Sequence, residues 1–339
     1  MNIALDATYG VGPDLSGVGV YSREMLAGLP AAHPEARFAF CYRPHRFLRS
    51  FGERLPANAR RFLLSETRAP RSVDVFHGLN QRLPHARLRQ AITTFHDLFV
   101  LTGDYSTPEF RQRFAAQARD AANRSERIIA VSHFTARQVV ELLGVDEARV
   151  RVVHHGVGAG AIAGVAREKI ILHVGAIQHR KNIARLVEAF ESVDREWRLV
   201  LAGSAGYGAA EIMAKIDAAR SRDRIRVLGY VPASELAGWY ARAMVFAFPS
   251  LDEGFGMPVL EAMAAGAPVI ASNRSAVPEV AGDAAWLVNP EDVEELGAAL
   301  VELTRDPARR AELCRRGMAR AAQFTWAEAI EKTWRVYAS

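Results

Sequence analysis

Phe248-Pro249-Ser250-Leu251-Asp252-Glu253-Gly254-Phe255-Gly256-Met257-Pro258-Val259-Leu260-Glu261-Ala262 reads as the end of an apolar strand, a glycine-rich turn and the start of a helix. Pro258 suits the first helical turn, because its missing N–H is one that a helix start leaves unpaired anyway. The backbone N–H groups of residues 255–259 then sit at a helix N-terminus, an arrangement suited to an anion. Glu253 stands before the turn and Glu261 in the helix, so the two carboxylates can bracket a ligand and accept hydrogen bonds from its hydroxyls. Two carboxylates beside a nest of amides have little use as plain surface charge.

Outward from this stretch, short apolar runs alternate with helical patterns along the whole chain. The first half predicts strands over residues 3–7, 37–42, 61–65, 74–77, 91–96, 127–131 and 150–154, with helices such as 107–123 and 135–143 between them. The second half predicts strands over 169–174, 198–202, 224–228, 244–248, 268–271 and 284–288, with helices such as 183–193, 207–221 and 258–265. Three helices, around 293–304, 308–323 and 326–337, end the chain. Val/Ile/Leu-rich strands alternating with helices mark an α/β class of parallel sheets covered on both faces. A length of 339 residues fits two domains. The two blocks read as two doubly wound domains, residues 1–160 and 166–323, and argue against one closed eight-strand barrel. The break is expected in the small, glycine-rich residues 156–168.

Half of the residues are hydrophobic and 24% charged, which excludes disordered, collagenous and coiled-coil classes. Cys41 and Cys314 lie far apart, with no zinc-like Cys/His spacing, and fit a reducing cytoplasm. No apolar run approaches the roughly 20 residues that span a bilayer. Asn2-Ile3-Ala4-Leu5-Asp6 reads as a strand rather than a leader, so a cytoplasmic location is expected. Residues 1–165 hold 21 arginines and no lysine against 15 acidic residues, a net of +6; residues 166–339 hold 22 basic and 23 acidic residues, a net of −1. The basic excess lies wholly in the first half. It points either to an anionic partner or to an arginine-rich composition without one.

Three further stretches offer chemistry. Gly10-Val11-Gly12 to Ser16-Gly17-Val18-Gly19 leads from the first strand into a helix and can either let a phosphate approach backbone or simply turn tightly. Thr94-Phe95-His96-Asp97 ends a strand, where open parallel sheets bind ligands. His96 there is either structural or a partner for a sugar hydroxyl. His173-Val174-Gly175 ends another strand, and Gln178-His179-Arg180-Lys181-Asn182 follows at a helix start. Arg180 and Lys181 are either a solvated pair or a diphosphate site, and Lys181 is one of only four lysines in an arginine-rich chain.

Taken in order, these motifs resemble the family 4 retaining glycosyltransferases of GT-B fold over nearly the whole chain. The residues that carry the likeness are Ser16-Gly17-Val18-Gly19-Val20-Tyr21, Phe95-His96-Asp97-Leu98, Val131-Ser132-His133-Phe134-Thr135, Val174-Gly175 to Arg180-Lys181-Asn182, Leu228-Gly229-Tyr230-Val231-Pro232, and Glu253 through Glu261. The resemblance implies two Rossmann-like domains facing a central cleft, the first binding acceptor and the second a nucleotide sugar, with residues 324–339 crossing back to the first. It implies that Arg180 and Lys181 neutralise the donor diphosphate, that Glu261 holds the ribose, and that Glu253 contacts the transferred sugar. The amides of Gly254, Phe255, Gly256 and Met257 lie nearby. His96 contacts the sugar, Gly17 and Gly175 allow close approach, and Tyr230 and Val231 meet the base. With no Asp-x-Asp motif, no metal and no other cofactor is expected, and Arg180 with Lys181 stands in for a divalent ion. Where relatives often read Val-Val-Pro-Asn-Gly-Val, this chain has Val152-Val153-His154-His155-Gly156-Val157.

The His96-Asp97-Leu98 and first-loop contexts resemble bacterial mannosyltransferases of polysaccharide assembly. They favour GDP-mannose as donor and a glycan or lipid-linked glycan as acceptor, with UDP-hexoses as the alternative. A nucleotide-sugar epimerase shares the architecture and is a rival. Nucleic acid is not an expected partner, since Glu253 and Glu261 have no use there. Finally, His45-Arg46-Phe47-Leu48-Arg49-Ser50-Phe51-Gly52-Glu53-Arg54-Leu55 places Phe47, Leu48, Phe51 and Leu55 at helical spacing beside Arg46, Arg49 and Arg54. This predicts a basic amphipathic helix, either a solvated face over the core or a contact with an anionic inner membrane surface.

Overall fold

The computed structural model describes residues 1–13, 15–158, 162 and 164–339. The part of the 156–168 break at 159–161 and 163 lies outside the described residues. The chain divides into two units: Met1–Gly103 with Thr107–Gly156 and Thr325–Ser339, and Asp104–Ser106 with Val157–Phe324.

The first unit is built on seven strands: β1 (Asn2–Asp6), β2 (Arg37–Tyr42), β3 (Ala59–Leu63), β4 (Val75–Gly78), β5 (Ala91–Phe95), β6 (Arg127–Ala130) and β7 (Val150–Val152). All neighbours pair in parallel, in the order β3-β2-β1-β4-β5-β6-β7. Its helices are α1 (Gly17–Ala32), α2 (Pro44–Phe47), α3 (Phe99–Thr102), α4 (Pro108–Arg124) and α5 (His133–Leu143). Strand side chains alternate between faces, and here both faces are dry. Ile3, Leu5, Phe38, Phe40 and Tyr42 face one apolar cluster, shared with Met25 and Leu29 of α1 and Ile330 from the chain's last helix. Ala4, Ala39 and Cys41 face the other, shared with Phe114 and Ala118 of α4 and Val139 of α5. Caps set the helix ends: Thr107 and Ser132 accept from the amides of Phe110 and Thr135, and Gly144, left-handed at φ 67°, stops α5.

The second unit holds β8 (Glu168–Val174), β9 (Arg198–Ala202), β10 (Ile225–Gly229), β11 (Ala243–Phe248), β12 (Val269–Ser272) and β13 (Trp286–Val288). They form a parallel sheet in the order β10-β9-β8-β11-β12-β13. The helices are α6 (Ile183–Phe190), α7 (Ala209–Ala218), α8 (Ala233–Arg242), α9 (Met257–Ala264), α10 (Val277–Ala281), α11 (Val293–Arg305) and α12 (Pro307–Ala321). Ile171, Leu199, Leu201 and Val245 pack with α6, α7 and α11 on one face. Leu172, Phe246 and Phe248 alternate with them and are fully buried too. The last helix, α13 (Trp326–Tyr337), is capped by Thr325, whose hydroxyl accepts from the Glu328 amide, and packs on α1 in the first unit.

One sequence expectation fails. The basic amphipathic helix over 45–55 is instead α2 followed by a separate 3-10 turn, Arg49–Gly52. Phe47 and Leu55 lean on the core of the first unit, while Leu48 is 81% and Phe51 61% exposed. The two short pieces do not put the four apolar side chains on one stripe, because a tighter 3-10 turn breaks the 3.6-residue period.

Candidate functional site

In both sheets the strand order reverses between the first strand and its fourth, so the loops after those strands diverge and leave a crevice at their C-terminal ends. In the second unit that point lies between β8 and β11. Gly175 follows β8. A Cβ there would lie 3.1 Å from the Cε of Lys181 and 3.4 Å from Nε2 of His173, so glycine lets the Lys181 stem cross this backbone. Gly203, after β9, is tighter still: its Cβ would come within 1.9 Å of the Gly175 carbonyl.

Arg180 and Lys181 lie in a 3-10 turn, His179–Lys181, and α6 starts only after Asn182, which is left-handed at φ 58°. The turn is laced to the loop that follows β11. Leu251 donates its amide to the Arg180 carbonyl at 2.8 Å, and Asn182 Nδ2 donates to the carbonyls of Pro249 and Pro290 at 3.1 and 2.5 Å. Arg180 donates to the Asp252 carbonyl. The two cations converge on Glu253, with Lys181 Nζ 2.5 Å from Oε1 and Arg180 Nη1 3.1 Å from Oε2, all three side chains about nine-tenths buried. The Lys181 ammonium also stands 4.8 Å over the Phe248 ring. Burial alone would raise the Glu253 carboxyl, but Arg180 and Lys181 overcome it and hold it down at about 2. The Ser275 hydroxyl accepts from the Glu253 amide at 3.0 Å and fixes the backbone beneath this carboxylate.

Gly254, Phe255 and Gly256 lead into α9, and Gly256 takes φ 101°, a conformation costly for other residues. Met257 opens the helix. Glu261 lies one turn further, half-buried, and accepts a hydrogen bond from the Tyr240 hydroxyl at 2.7 Å. Burial raises its carboxyl pKa and Tyr240 opposes the rise. Tyr230 and Val231 follow β10, the outer strand of the sheet; Tyr230 is exposed and Val231 half-buried.

The structure therefore joins Arg180, Lys181, Glu253 and Gly175 in direct contact, and Gly254–Met257 continue from them along the chain. Glu261 is held separately, by Tyr240. His173, Asn182, Phe248 and Ser275, not singled out as site residues from the sequence, complete the group. His173 donates Nδ1–H to the Ala247 carbonyl at 3.0 Å, and burial lowers its pKa to about 4. Its only signal was its place in the strand-end motif.

In the first unit, Gly17 is exposed at the start of α1 with open space where a Cβ would stand, whereas at Gly19 a Cβ would meet the Tyr9 carbonyl at 2.9 Å. His96 directly follows β5. It is buried, and its Nε2 donates to the Leu79 carbonyl at 2.9 Å. Burial lowers its pKa to about 4, so near neutral pH the ring is uncharged and Nδ1 carries the lone pair.

Residues 16–159 match the family model described as Glycosyltransferase Family 4, and residues 162–320 match Glycosyl transferases group 1. The chain is 32% identical over 281 residues to an O-antigen chain mannosyltransferase B of Escherichia coli, covering 78% of this chain and 74% of that protein. The chain belongs to glycosyltransferase family 4. This glycosyltransferase is also 29% identical over 261 residues to a serotype-specific mannosyltransferase of Escherichia coli, covering 70% of its own length but about a third (32%) of the relative's. Its fold is that of sucrose-phosphate synthase from Thermosynechococcus elongatus, with a TM-score of 0.80 at 22% identity over 100% of this chain and 98% of the other. It is thus a GT-B glycosyltransferase with two parallel-sheet, Rossmann-like units, and mannosyltransferases are among its relatives.

Proposed function

We propose that this glycosyltransferase moves mannose from GDP-mannose to a glycan or lipid-linked glycan acceptor, with retention of the anomeric configuration and without a metal ion. The observation that carries the donor reading is the buried convergence of Arg180 and Lys181 on Glu253 at the switch point of the second sheet. Two cations held there by one carboxylate match the charge of a diphosphate, and a diphosphate can take over both of them. Glu253 is then released, still ionised, to accept hydrogen bonds from the sugar hydroxyls. The remaining roles follow the sequence reading: Glu261 holds the ribose, Tyr230 and Val231 meet the base, the amides of Gly254–Met257 face the phosphates, and Gly17 and Gly175 leave them room. The two mannosyltransferase relatives support mannose.

The chemistry asked of the protein is mostly electrostatic. As the bond from the sugar to the diphosphate breaks, negative charge grows on the leaving oxygen, and fixed cations in a dry site lower that barrier without reorganising. Arg180 and Lys181 supply it. The acceptor hydroxyl attacks the face the diphosphate is leaving, and a leaving phosphate oxygen takes its proton, so the protein need not provide a base. His96, neutral, accepts from a sugar hydroxyl through Nδ1.

A thermal-shift screen tests this directly. GDP-mannose is expected to raise the melting temperature more than UDP-glucose or UDP-N-acetylglucosamine, EDTA to leave transfer intact, and product NMR to show the donor's anomeric configuration. A larger shift with a UDP-hexose would replace the donor, loss of transfer in EDTA would remove the metal-free mechanism, and an epimerised sugar without glycoside would remove the transfer reaction.

The acceptor reading adds an anionic membrane surface. Leu48 and Phe51 are the apolar side chains that stand out beside Arg46, Arg49 and Arg54, a pairing of exposed apolar and basic groups suited to the interface of an anionic leaflet. Among the described residues no helix is long and apolar enough to cross a membrane. Co-sedimentation with phosphatidylglycerol vesicles is expected, weakened when Leu48, Phe51 and the three arginines are replaced; unchanged binding would reject this surface.

A further inference from the structure

His155 follows β7 in the stretch Val152-Val153-His154-His155-Gly156-Val157. It is buried, and its ring lies against that of His96, with centroids 5.3 Å apart and 20° between planes. Tyr21 of α1 closes the pair, edge-on to His96 at 4.8 Å and tilted against His155 at 5.0 Å. Trp326, from the first turn of α13, stands 5.9 Å from His155 and 6.4 Å from Tyr21. Gly156 makes this wall: a Cβ there would meet the Trp326 amide nitrogen at 2.1 Å.

Tyr21 is itself anchored. Its hydroxyl shares a hydrogen bond with Thr94 Oγ1 at 2.9 Å, Thr94 Oγ1 one with His77 Nε2 at 2.8 Å, and His77 Nδ1 one with the Tyr337 hydroxyl of α13 at 2.7 Å. Burial pushes the His77 pKa down to about 3, so its ring offers one N–H and one lone pair, and its two bonds run the same way through the ring. The cage around His96 is thus tied to two helices and two strands.

A hydrogen bond at a single atom fixes the tautomer of His96 but leaves the ring free to swing about that atom. Flat neighbours on its face and edge remove that freedom. We propose that His155 is a positioning residue: with Tyr21 it holds the His96 ring in the plane that presents Nδ1 to a hydroxyl of the substrate. This rests on the reading of His96 as a sugar contact. An imidazole suits the task, since it is flat, matches His96 in size and, being neutral in this buried place, sets no second charge beside it.

The test uses whichever of GDP-mannose and UDP-glucose the protein turns over, with GDP or UDP as the ligand that does not need His96. His155→Ala is expected to lower kcat/KM about tenfold while the inhibition constant of the free nucleoside diphosphate stays within twofold. His155→Phe restores a flat face and should recover most of the loss. His155→Leu fills the space without one, should not recover it, and takes the place of His155→Ala if that variant does not fold. In a His96→Gln background, His155→Ala or His155→Leu should cost nothing further, because both changes spoil one interaction. Equal loss in the Phe and Leu variants, or full additivity with His96→Gln, overturns the positioning role while leaving His96 in place. Unaltered turnover in His96→Gln, or turnover of neither nucleotide sugar, overturns the sugar-contact reading and this proposal with it.

Discussion

The two sheets share one strand order, yet the C-terminal ends of their strands gather different sets of groups. In the first unit β4, β5 and β7 lead to a neutral set, His77, His96 and His155, all kept uncharged by burial, with Thr94, Tyr21 and Tyr337, while a buried Asp6–Arg43 ion pair lies at the ends of β1 and β2. In the second they are ionic: Arg180 and Lys181 about a single buried carboxylate. One topology positions either set, since it dictates only where loops diverge. The basic excess of the sequence lies in the first half, whereas Arg180 and Lys181 lie in the second. Net charge therefore says little about where the proposed diphosphate site lies. The two cations proposed to bind it lie buried in a nearly neutral half.

The ionic side should be the more fragile to a single change. Glu253→Ala leaves Arg180 and Lys181 buried without their counterion, and breaking such a cluster costs about 3–5 kcal/mol. Denaturant unfolding followed by hydrogen exchange should place that loss in the second unit, and added GDP or UDP should restore part of it. A loss below ~1 kcal/mol would mean that the cluster is solvated and the contrast false.

Acid should reverse the order. A buried imidazole whose folded pKa lies below its unfolded value of about 6.5 contributes fully above that value and loses its contribution as pH falls toward the folded one, at up to about 1.4 kcal/mol per pH unit for each group. His77 and His96, at about 3 and 4, and His155, also lowered, act this way in the first unit, against His173, at about 4, in the second. Glu253, held at about 2, keeps its contribution until pH falls below the ordinary carboxylate range, about 4.5. Asp6, raised by burial, works in the opposite sense. Between pH 6.5 and 4.5, exchange protection should therefore fall faster in peptides of the first unit. Parallel loss in both would erase the distinction.

The smallest effect concerns Glu261. Tyr240→Phe removes one hydrogen bond to a half-buried carboxylate, worth about 1 kcal/mol. Binding of the nucleoside diphosphate should weaken about fivefold by calorimetry, with kcat nearly unchanged. Unchanged affinity would detach Glu261 from the ribose.

Much of the fold was legible because strand and helix periods are local. Each expected strand has a counterpart, displaced by at most two residues at either end, since Val, Ile and Phe runs bounded by glycine and capping residues leave few alternatives. The stretch over 45–55 misled for the same reason: a periodic pattern cannot report that a 3-10 turn interrupts it. The site motifs were legible as glycine and charge at strand ends. That Arg180 and Lys181 share Glu253, 73 and 72 residues away along the sequence, was not, and neither were Tyr240 beneath Glu261 or His155 against His96.

The sequence by itself determined the class, the two blocks, the strand-end motifs and the kinship, because these depend on residue type and spacing along one chain. The tertiary structure alone decided which charges are paired, which imidazoles are neutral and which ring fixes another. Those properties depend on burial and on distances of a few ångströms between segments far apart in the chain, and the energy of a charge or a hydrogen bond changes severalfold with the surroundings that only folding supplies.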